Sequence, residues 1–253
     1  MWNQMQTGTY EGMLAETISM AGHNGDFVHA YFSRPLGEGP FPGIILIPHM
    51  PGWDEFCREA ARRLTQHGYS VLCPDLYCRF GHGTPSEISA VAREAGGVTD
   101  ESVIGDCQGA LDYLQNLPYA NGKVGVIGMC SGGRHAFLAA CQLDGIDAVV
   151  DCWGGGVVQK ELTPARPVAP IDYTAQLDCP LLGLFGNDDT SPTPEQVNQH
   201  ADELLRLGKD FDFHCYDGAA HGFWYYHTDR YRPQQAMDAW EKTFGFFQKH
   251  LKD

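Results

Sequence analysis

Short apolar runs of strand length alternate with longer segments of helical period along this 253-residue chain, and few architectures tolerate that pattern. Ile44-Ile45-Leu46-Ile47 sits between Pro42-Gly43 and Pro48 and reads as a strand buried on both faces. Phe56, Ala60 and Leu64 then share one helical face, and His67-Gly68 stops the helix. Ser70 to Cys73 is the next strand, closed by Pro74-Asp75. Val103, Cys107, Ala110, Leu111 and Leu114 predict a helix from about Asp100 to Leu117. Lys123 to Ile127 is a strand, and Gly128 to Gly133 leads from it into a helix over Ala136 to Cys141. The rhythm continues with strands at Ala148–Asp151 and Leu181–Phe185, a helix at Pro194–Leu207 and a strand at Phe211–Tyr216. A last helix carries Ala236, Trp240, Phe244, Phe247 and Leu251 on one stripe. Upstream, Phe27 to Phe32 alternates as an edge strand does, while residues 157–180, with Pro164, Pro167 and Pro170, form a loop or small excursion. The expectation is an α/β fold: one domain over residues 1–253, a mostly parallel sheet with helices on both faces.

The sharpest local signal is Gly128-Met129-Cys130-Ser131-Gly132-Gly133, placed where a strand gives way to a helix. It has the spacing of a nucleophile elbow, with cysteine at the centre. A nucleophile in so tight a turn forces the residues two before and two after against neighbouring backbone, and glycine alone avoids the collision. Ser131 cannot be the central residue, because Met129 occupies the place of its preceding glycine. The amides of the following helix point at the sulfur and favour a thiolate.

Two partners follow in the order nucleophile, acid, histidine. After the strand ending at Phe185 comes Gly186-Asn187-Asp188-Asp189-Thr190-Ser191-Pro192, an acidic loop. After the strand ending at Tyr216 comes Asp217-Gly218-Ala219-Ala220-His221-Gly222-Phe223, which sets His221 between glycines at a strand end. Singly, Asp188 and Asp189 are ordinary turn or capping residues and His221 an ordinary loop histidine. Together they complete a cysteine triad.

With these motifs, and with Cys73-Pro74-Asp75-Leu76-Tyr77-Cys78-Arg79, the chain resembles the dienelactone hydrolase family, cysteine-dependent enzymes on the α/β-hydrolase fold, from about Phe27 to Leu251. The resemblance implies Cys130 as nucleophile and His221 as base. The family's acid is the fourth residue of a Gly-x-x-Asp turn, here Asp189, with Asp188 in reserve. The backbone N–H groups of Ser131 and Met50 would form the oxyanion hole. Where the family has a glutamate that pairs with the resting thiol, this chain has His49, as a thiolate partner or as a shaper of the pocket. Of the two arginines that grip the substrate carboxylate in the family, one is matched by Arg79, while the other position holds Tyr225. Trp53, Tyr77, Phe80, His82, Trp153, Phe223, Trp224 and Tyr225 are candidates for the pocket wall.

The implied activity is hydrolysis of a lactone or activated ester through a thioester, without metal or other cofactor. A thiol-redox enzyme or sensor built on a low-pKa Cys130 is the alternative, since eight other cysteines are present. Metal hydrolysis lacks its H-E-x-x-H spacing, a serine esterase is excluded by Cys130, and no triad member is missing as it would be in a non-catalytic module. A net charge of −15 argues against a nucleic-acid groove and against anionic lipid, leaving a small-molecule substrate and a monomer or small homo-oligomer. Nine cysteines, an odd number with no C-x-x-C pair, point to free thiols. Residues 1–6 carry neither the basic nor the apolar region of a secretory signal, so the expected location is the cytoplasm.

Overall fold

In the computed structural model, residues 12–50, 52–159 and 161–252 are described, so residues 1–11, read above for a signal, and Pro51 lie outside it. The strands are β1 (Met13–Ala21), β2 (Phe27–Pro35), β3 (Phe41–Ile47), β4 (Ser70–Pro74), β5 (Ala120–Met129), β6 (Ala148–Cys152), β7 (Leu181–Gly186) and β8 (Phe211–Tyr216). They form one sheet in the order β1-β2-β4-β3-β5-β6-β7-β8. From β4 to β8 every pairing is parallel, and β1 and β2 are antiparallel to their neighbours. The helices are α1 (Glu55–Gln66), α2 (Pro85–Glu94), α3 (Asp100–Gln115), α4 (Ser131–Gln142), α5 (Pro194–Arg206) and α6 (Pro233–Phe247).

The unbroken apolar run of β3 has a simple cause. Ile45 and Ile47 join the layer that contains Leu111 and Leu114 of α3 and Phe137 of α4. Ile44 and Leu46 join the opposite layer, with Leu64 of α1 and Phe247 of α6. Both faces are covered, so alternation of apolar and polar residues would bury polar groups, and all four side chains have no exposure at all. Each such side chain contributes about 1.5–3 kcal/mol by leaving water.

One strand departs from the sequence reading. Phe27–Phe32 lies in β2, which is interior: β1 pairs with it along nine residues from Met13↔Pro35 to Ala21↔Phe27 and takes the edge. Of β1 only Met20 is buried, so its sequence carries little apolar signal. The helix α2 was also not legible as an apolar stripe. It is set by its ends, with Pro85 in the first turn and Thr84 and Glu87 in a reciprocal cap. Among the described residues of 157–169 there is no strand beyond a bridge between Thr163 and Arg166, and a 3-10 turn spans Pro170–Gln176.

What positions the site is the sheet order. From β3 the chain crosses to β4 on one side, and from β5 to β6 on the other. The connections therefore part at the carboxyl ends of β3 and β5 and leave a crevice there, the place where open α/β sheets hold ligands. Met50 follows β3 and Cys130 follows β5 at that point.

Candidate active site

Cys130 joins β5 to α4 with φ 57° and ψ −122°, a conformation that costs a non-glycine residue about 1–3 kcal/mol. Its N–H donates to the Cys152 carbonyl at 3.0 Å, and its carbonyl accepts from the Gly133 N–H at 3.0 Å. The flanking glycines are sterically required. A Cβ on Gly128 would stand 1.9 Å from the Gly132 carbonyl oxygen, and one on Gly132 would stand 2.3 Å from the Ile47 carbonyl oxygen. These are backbone atoms that cannot swing aside, so the turn that presents the sulfur exists only with glycine at both places.

His221 leaves the carboxyl end of β8 and Asp189 that of β7. The His221 Nδ1 is 2.9 Å from Asp189 Oδ2, with the carboxylate side chain 1% exposed and the imidazole 26%. The other oxygen of Asp189 accepts the Ser191 N–H at 2.8 Å, which fixes the carboxylate in its turn. Asp188 is exposed and lines the same cavity as Asp189. Burial lowers the affinity of His221 for its proton, but hydrogen bonds to Asp189 and to the Cys130 thiol outweigh it and push the imidazole up to about 10. Cys130, His221, Asp189, Met50 and Ser131 all line one cavity of about 610 Å3.

Several other expected residues stand elsewhere. His49 is buried and not in the cavity wall, with Nε2 bonded to Asp54 Oδ2 at 2.8 Å and its ring against Phe56 and Tyr225. Arg79 is a correction. Its guanidinium makes a bidentate pair with Asp106 at 2.8 and 2.9 Å and a third bond to Asp26 at 2.8 Å, and it is not in the cavity wall. Asp106 has no exposure, and a carboxylate so placed requires that counter-charge. The aromatic wall is corrected too. Trp153, Phe223, Trp224 and Tyr225 are buried in the layer under the sheet, and Tyr77 in the opposite one. Trp53 is covered by the Arg58 guanidinium at 5.3 Å, and His82 is exposed. None of these eight aromatic candidates, Phe80 included, is in the cavity wall.

The wall instead includes two arginines that the sequence did not single out, Arg166 and Arg230. Arg166 lies in the irregular segment after β6 and Arg230 in the segment between β8 and α6. The available signal was their place: both follow carboxyl ends of parallel strands, in a strongly acidic chain.

His49, Asp54 and Cys57 bring three potential metal-ligating atoms within 4.8 Å of one another. Their bonds already serve the fold. Asp54 caps α1 by accepting the Cys57 N–H at 3.0 Å through one oxygen and holds His49 with the other. Burial pushes the Cys57 thiol up, away from the thiolate that a metal needs.

The geometry can be set beside known proteins. The model of the dienelactone hydrolase family matches residues 28–251. A Methylorubrum extorquens protein with the provisional name carboxymethylenebutenolidase is 29% identical over 242 residues, 94% of this chain and 82% of that one. A Bradyrhizobium protein provisionally named 2-oxo-3-(5-oxofuran-2-ylidene)propanoate lactonase is 29% identical, over 94% of this chain and 98% of its own. A crystal structure from Klebsiella pneumoniae, provisionally assigned as a dienelactone hydrolase, superposes with a TM-score of 0.87 at 27% identity, covering 94% of this chain and 100% of that one.

Proposed function

The chain belongs to the dienelactone hydrolase family, on the α/β-hydrolase fold, and from that premise we propose that it hydrolyses a lactone or activated carboxylic ester through a thioester on Cys130. The observation that carries this reading is the convergence in one cavity of a strained Cys130 elbow and a His221 held by a buried Asp189. In the proposed cycle His221 holds the thiol proton, and the thiolate attacks the acyl carbon. Negative charge moves to the carbonyl oxygen, where the N–H groups of Ser131 and Met50 receive it. As the C–O bond breaks, His221 returns the proton to the departing alkoxide. In a lactone that alkoxide stays attached, so the intermediate is a hydroxyacyl thioester. Water then attacks the thioester, gives a proton to His221 and releases the acid and the thiolate, which recovers the proton balance. Asp189 keeps the proton-bearing Nδ1 oriented throughout. A thiolate is a better leaving group than a simple alkoxide, so activated esters and lactones with acidic enols suit it and plain alkyl esters do not.

Redox chemistry at Cys130 is less well supported. Burial pushes the thiols of Cys73, Cys107 and Cys152 up and leaves them weak resolving nucleophiles. All nine cysteines are free thiols in the structure. No helix among the described residues is long and apolar enough to cross a membrane.

The test is hydrolysis of a dienelactone, p-nitrophenyl acetate and p-nitrophenyl butyrate by wild type and Cys130→Ala, with rapid quenching and intact-mass analysis. Turnover that drops at least 1,000-fold in a folded Cys130→Ala protein, with an acyl mass on wild type alone, is expected. Equal turnover in the two proteins would overturn the assignment of the nucleophile.

A further inference from the structure

Met50, whose N–H is to receive the oxyanion, lies in the connection between β3, which ends at Ile47, and α1, which begins at Glu55. That N–H belongs to the planar peptide joining His49 to Met50, so its direction is set by a torsion of His49 as much as by one of Met50. Among the described residues, neither strand nor helix covers the stretch from 48 to 54, and the Met50 N–H has no acceptor. A donor stabilises a developing charge only if it is already aimed when the charge appears. The aim of this peptide therefore has to come from side chains.

His49 supplies it from the core side. The residue is 4% exposed, and its ring is wedged between Phe56, stacked at 6.0 Å, and Tyr225, edge-on at 4.8 Å. Its Nε2 is 2.8 Å from Asp54 Oδ2, while the other Asp54 oxygen accepts the Cys57 N–H at 3.0 Å in the first turn of α1. Cys57 closes the circuit: its sulfur accepts from the His49 N–H, and its S–H faces the Gly52 carbonyl at 3.7 Å. The Asp54 N–H donates to that same carbonyl at 2.9 Å. Burial works against the Asp54 charge, but the bonds to His49 and Cys57 outweigh it and hold the carboxyl below its ordinary value. Ahead of His49 the chain is pressed on the elbow, where a Cβ on Gly132 would stand 2.3 and 2.9 Å from the Ile47 and Pro48 carbonyl oxygens. The peptide that carries the Met50 N–H thus hangs between the elbow and a tethered imidazole.

We propose that His49, tethered by Asp54, is the positioning residue of the oxyanion hole: the pair fixes the His49–Met50 peptide so that the Met50 N–H faces the carbonyl oxygen of an acyl group bonded to Cys130. This rests on the reading of Cys130 as the acylated thiol. His49 acts through Met50, since its ring lies outside the cavity wall and is bonded to Asp54 rather than to the thiol. A buried polar pair stands here where an apolar pair would fill the same space. The difference is directional: a hydrogen bond fixes an orientation, whereas apolar packing fixes little more than a distance.

The test sets two reactions that need the hole beside one that does not. Alkylation of Cys130 by iodoacetamide displaces iodide from a saturated carbon and builds no oxyanion, so its rate reports the thiolate alone. Peptide mass mapping separates it from alkylation of the exposed Cys215. Hydrolysis of p-nitrophenyl acetate needs the hole. So does reversible addition of butyraldehyde, in which the sulfur bonds to the carbonyl carbon, the C=O π electrons move to oxygen and the oxygen takes the proton held by His221. Adduct affinity is read as protection of Cys130 from iodoacetamide. His49→Leu keeps bulk between Phe56 and Tyr225 but loses the bond to Asp54. It should lower kcat/KM about 30-fold or more, weaken the aldehyde adduct about tenfold and change the alkylation rate less than twofold. His49→Gln, whose amide N–H can reach Asp54, should recover at least fivefold of the lost kcat/KM. Asp54→Ser retains a cap for α1 but not the reach to His49, so it should repeat His49→Leu and decides the matter if that variant does not fold. Alkylation that falls in step with hydrolysis overturns the proposal, because His49 would then act on the thiol or on the whole fold. Hydrolysis and adduct affinity within threefold of wild type in the folded variants overturn it as well. Hydrolysis of no ester by wild type removes the hydrolase reading and leaves the aldehyde to judge His49. In that case a wild type that forms no adduct, or one no tighter than in His49→Leu, overturns the positioning role.

Discussion

The pairs His221–Asp189 and Arg79–Asp106 are close to matched by ordinary measures. Their contact distances are 2.9 and 2.8 Å, the carboxylates are 1% and 0% exposed and the cations 26% and 27%. What separates them is the third group. Beyond His221 lies the Cys130 thiol, at the carboxyl end of the strand where the sheet's connections diverge. Beyond Arg79 lies another acid, Asp26. A buried charge pair by itself thus says only that a carboxylate has been neutralised. It becomes a candidate for chemistry when its cation is left with an acceptor that reacts, and a structural clamp when each nitrogen of the cation already holds a carboxylate, as in Arg79.

The comparison breaks most easily at the acids. Asp189→Asn leaves a hydrogen-bonding group of the same shape but removes the charge and the orientation of the imidazole, so kcat/KM should fall on the order of 100- to 10,000-fold. Asp188→Asn should cost less than tenfold, because that side chain is exposed and makes no bond to His221. Steady-state kinetics on an activated ester check both, and the reverse order would transfer the role of the acid to Asp188. A smaller effect of a different kind is expected at the other pair. Arg79→Ala strands Asp106 without its bidentate partner and should lower stability by about 2–3 kcal/mol, discounted for the partial exposure of Arg79. Denaturant unfolding reads this loss, and the preference between anionic and neutral substrates should not follow it. A lost anion preference in Arg79→Ala, with stability intact, would restore Arg79 to substrate binding.

How far such distinctions could be read from sequence depends on the range of the physics. The elbow was legible because its cause is local: Gly128 and Gly132 are dictated by backbone atoms within a turn or an adjacent strand. The strands β3 to β7 were legible because burial on both faces leaves apolar runs such as Ile44 to Ile47. The partner of Arg79 was not legible, since Asp106 lies 27 residues on, in a helix read only for its apolar stripe. The same holds for Arg166, which has no ion-pair partner among the described residues because Arg134 claims Asp100 across 34 residues. The aromatic residues after β8 misled for a related reason. A loop that returns beneath the sheet buries its aromatics in the core, and composition cannot tell that from a pocket wall.

The pH dependence sharpens the contrast between the pairs, with the smallest effect of the set. An arginine stays charged at any working pH, but the proton on His221 is conditional. Its affinity is raised from an unfolded value near 6.5 to about 10, against burial, by Asp189 and the Cys130 thiol. The folded state therefore holds this proton where the unfolded state has released it. The associated stabilisation is complete below about pH 6.5 and drains away as pH rises through about 10. In the proposed cycle activity follows the same proton, because there the imidazolium protonates the leaving alkoxide after the thiolate attacks. We expect kcat/KM to hold through pH 9 and to fall on an alkaline limb near 10 as His221 releases its proton. In Asp189→Asn the limb should move to lower pH, since the hydrogen bond to Asp189 leads the effects that raise it. Rates between pH 6 and 11, corrected with Cys130→Ala for uncatalysed hydrolysis, measure both positions. A wild-type limb near 7 would mean that the Asp189 bond orients the imidazole without holding its proton, and the two buried pairs would then differ in less than their third neighbour suggests.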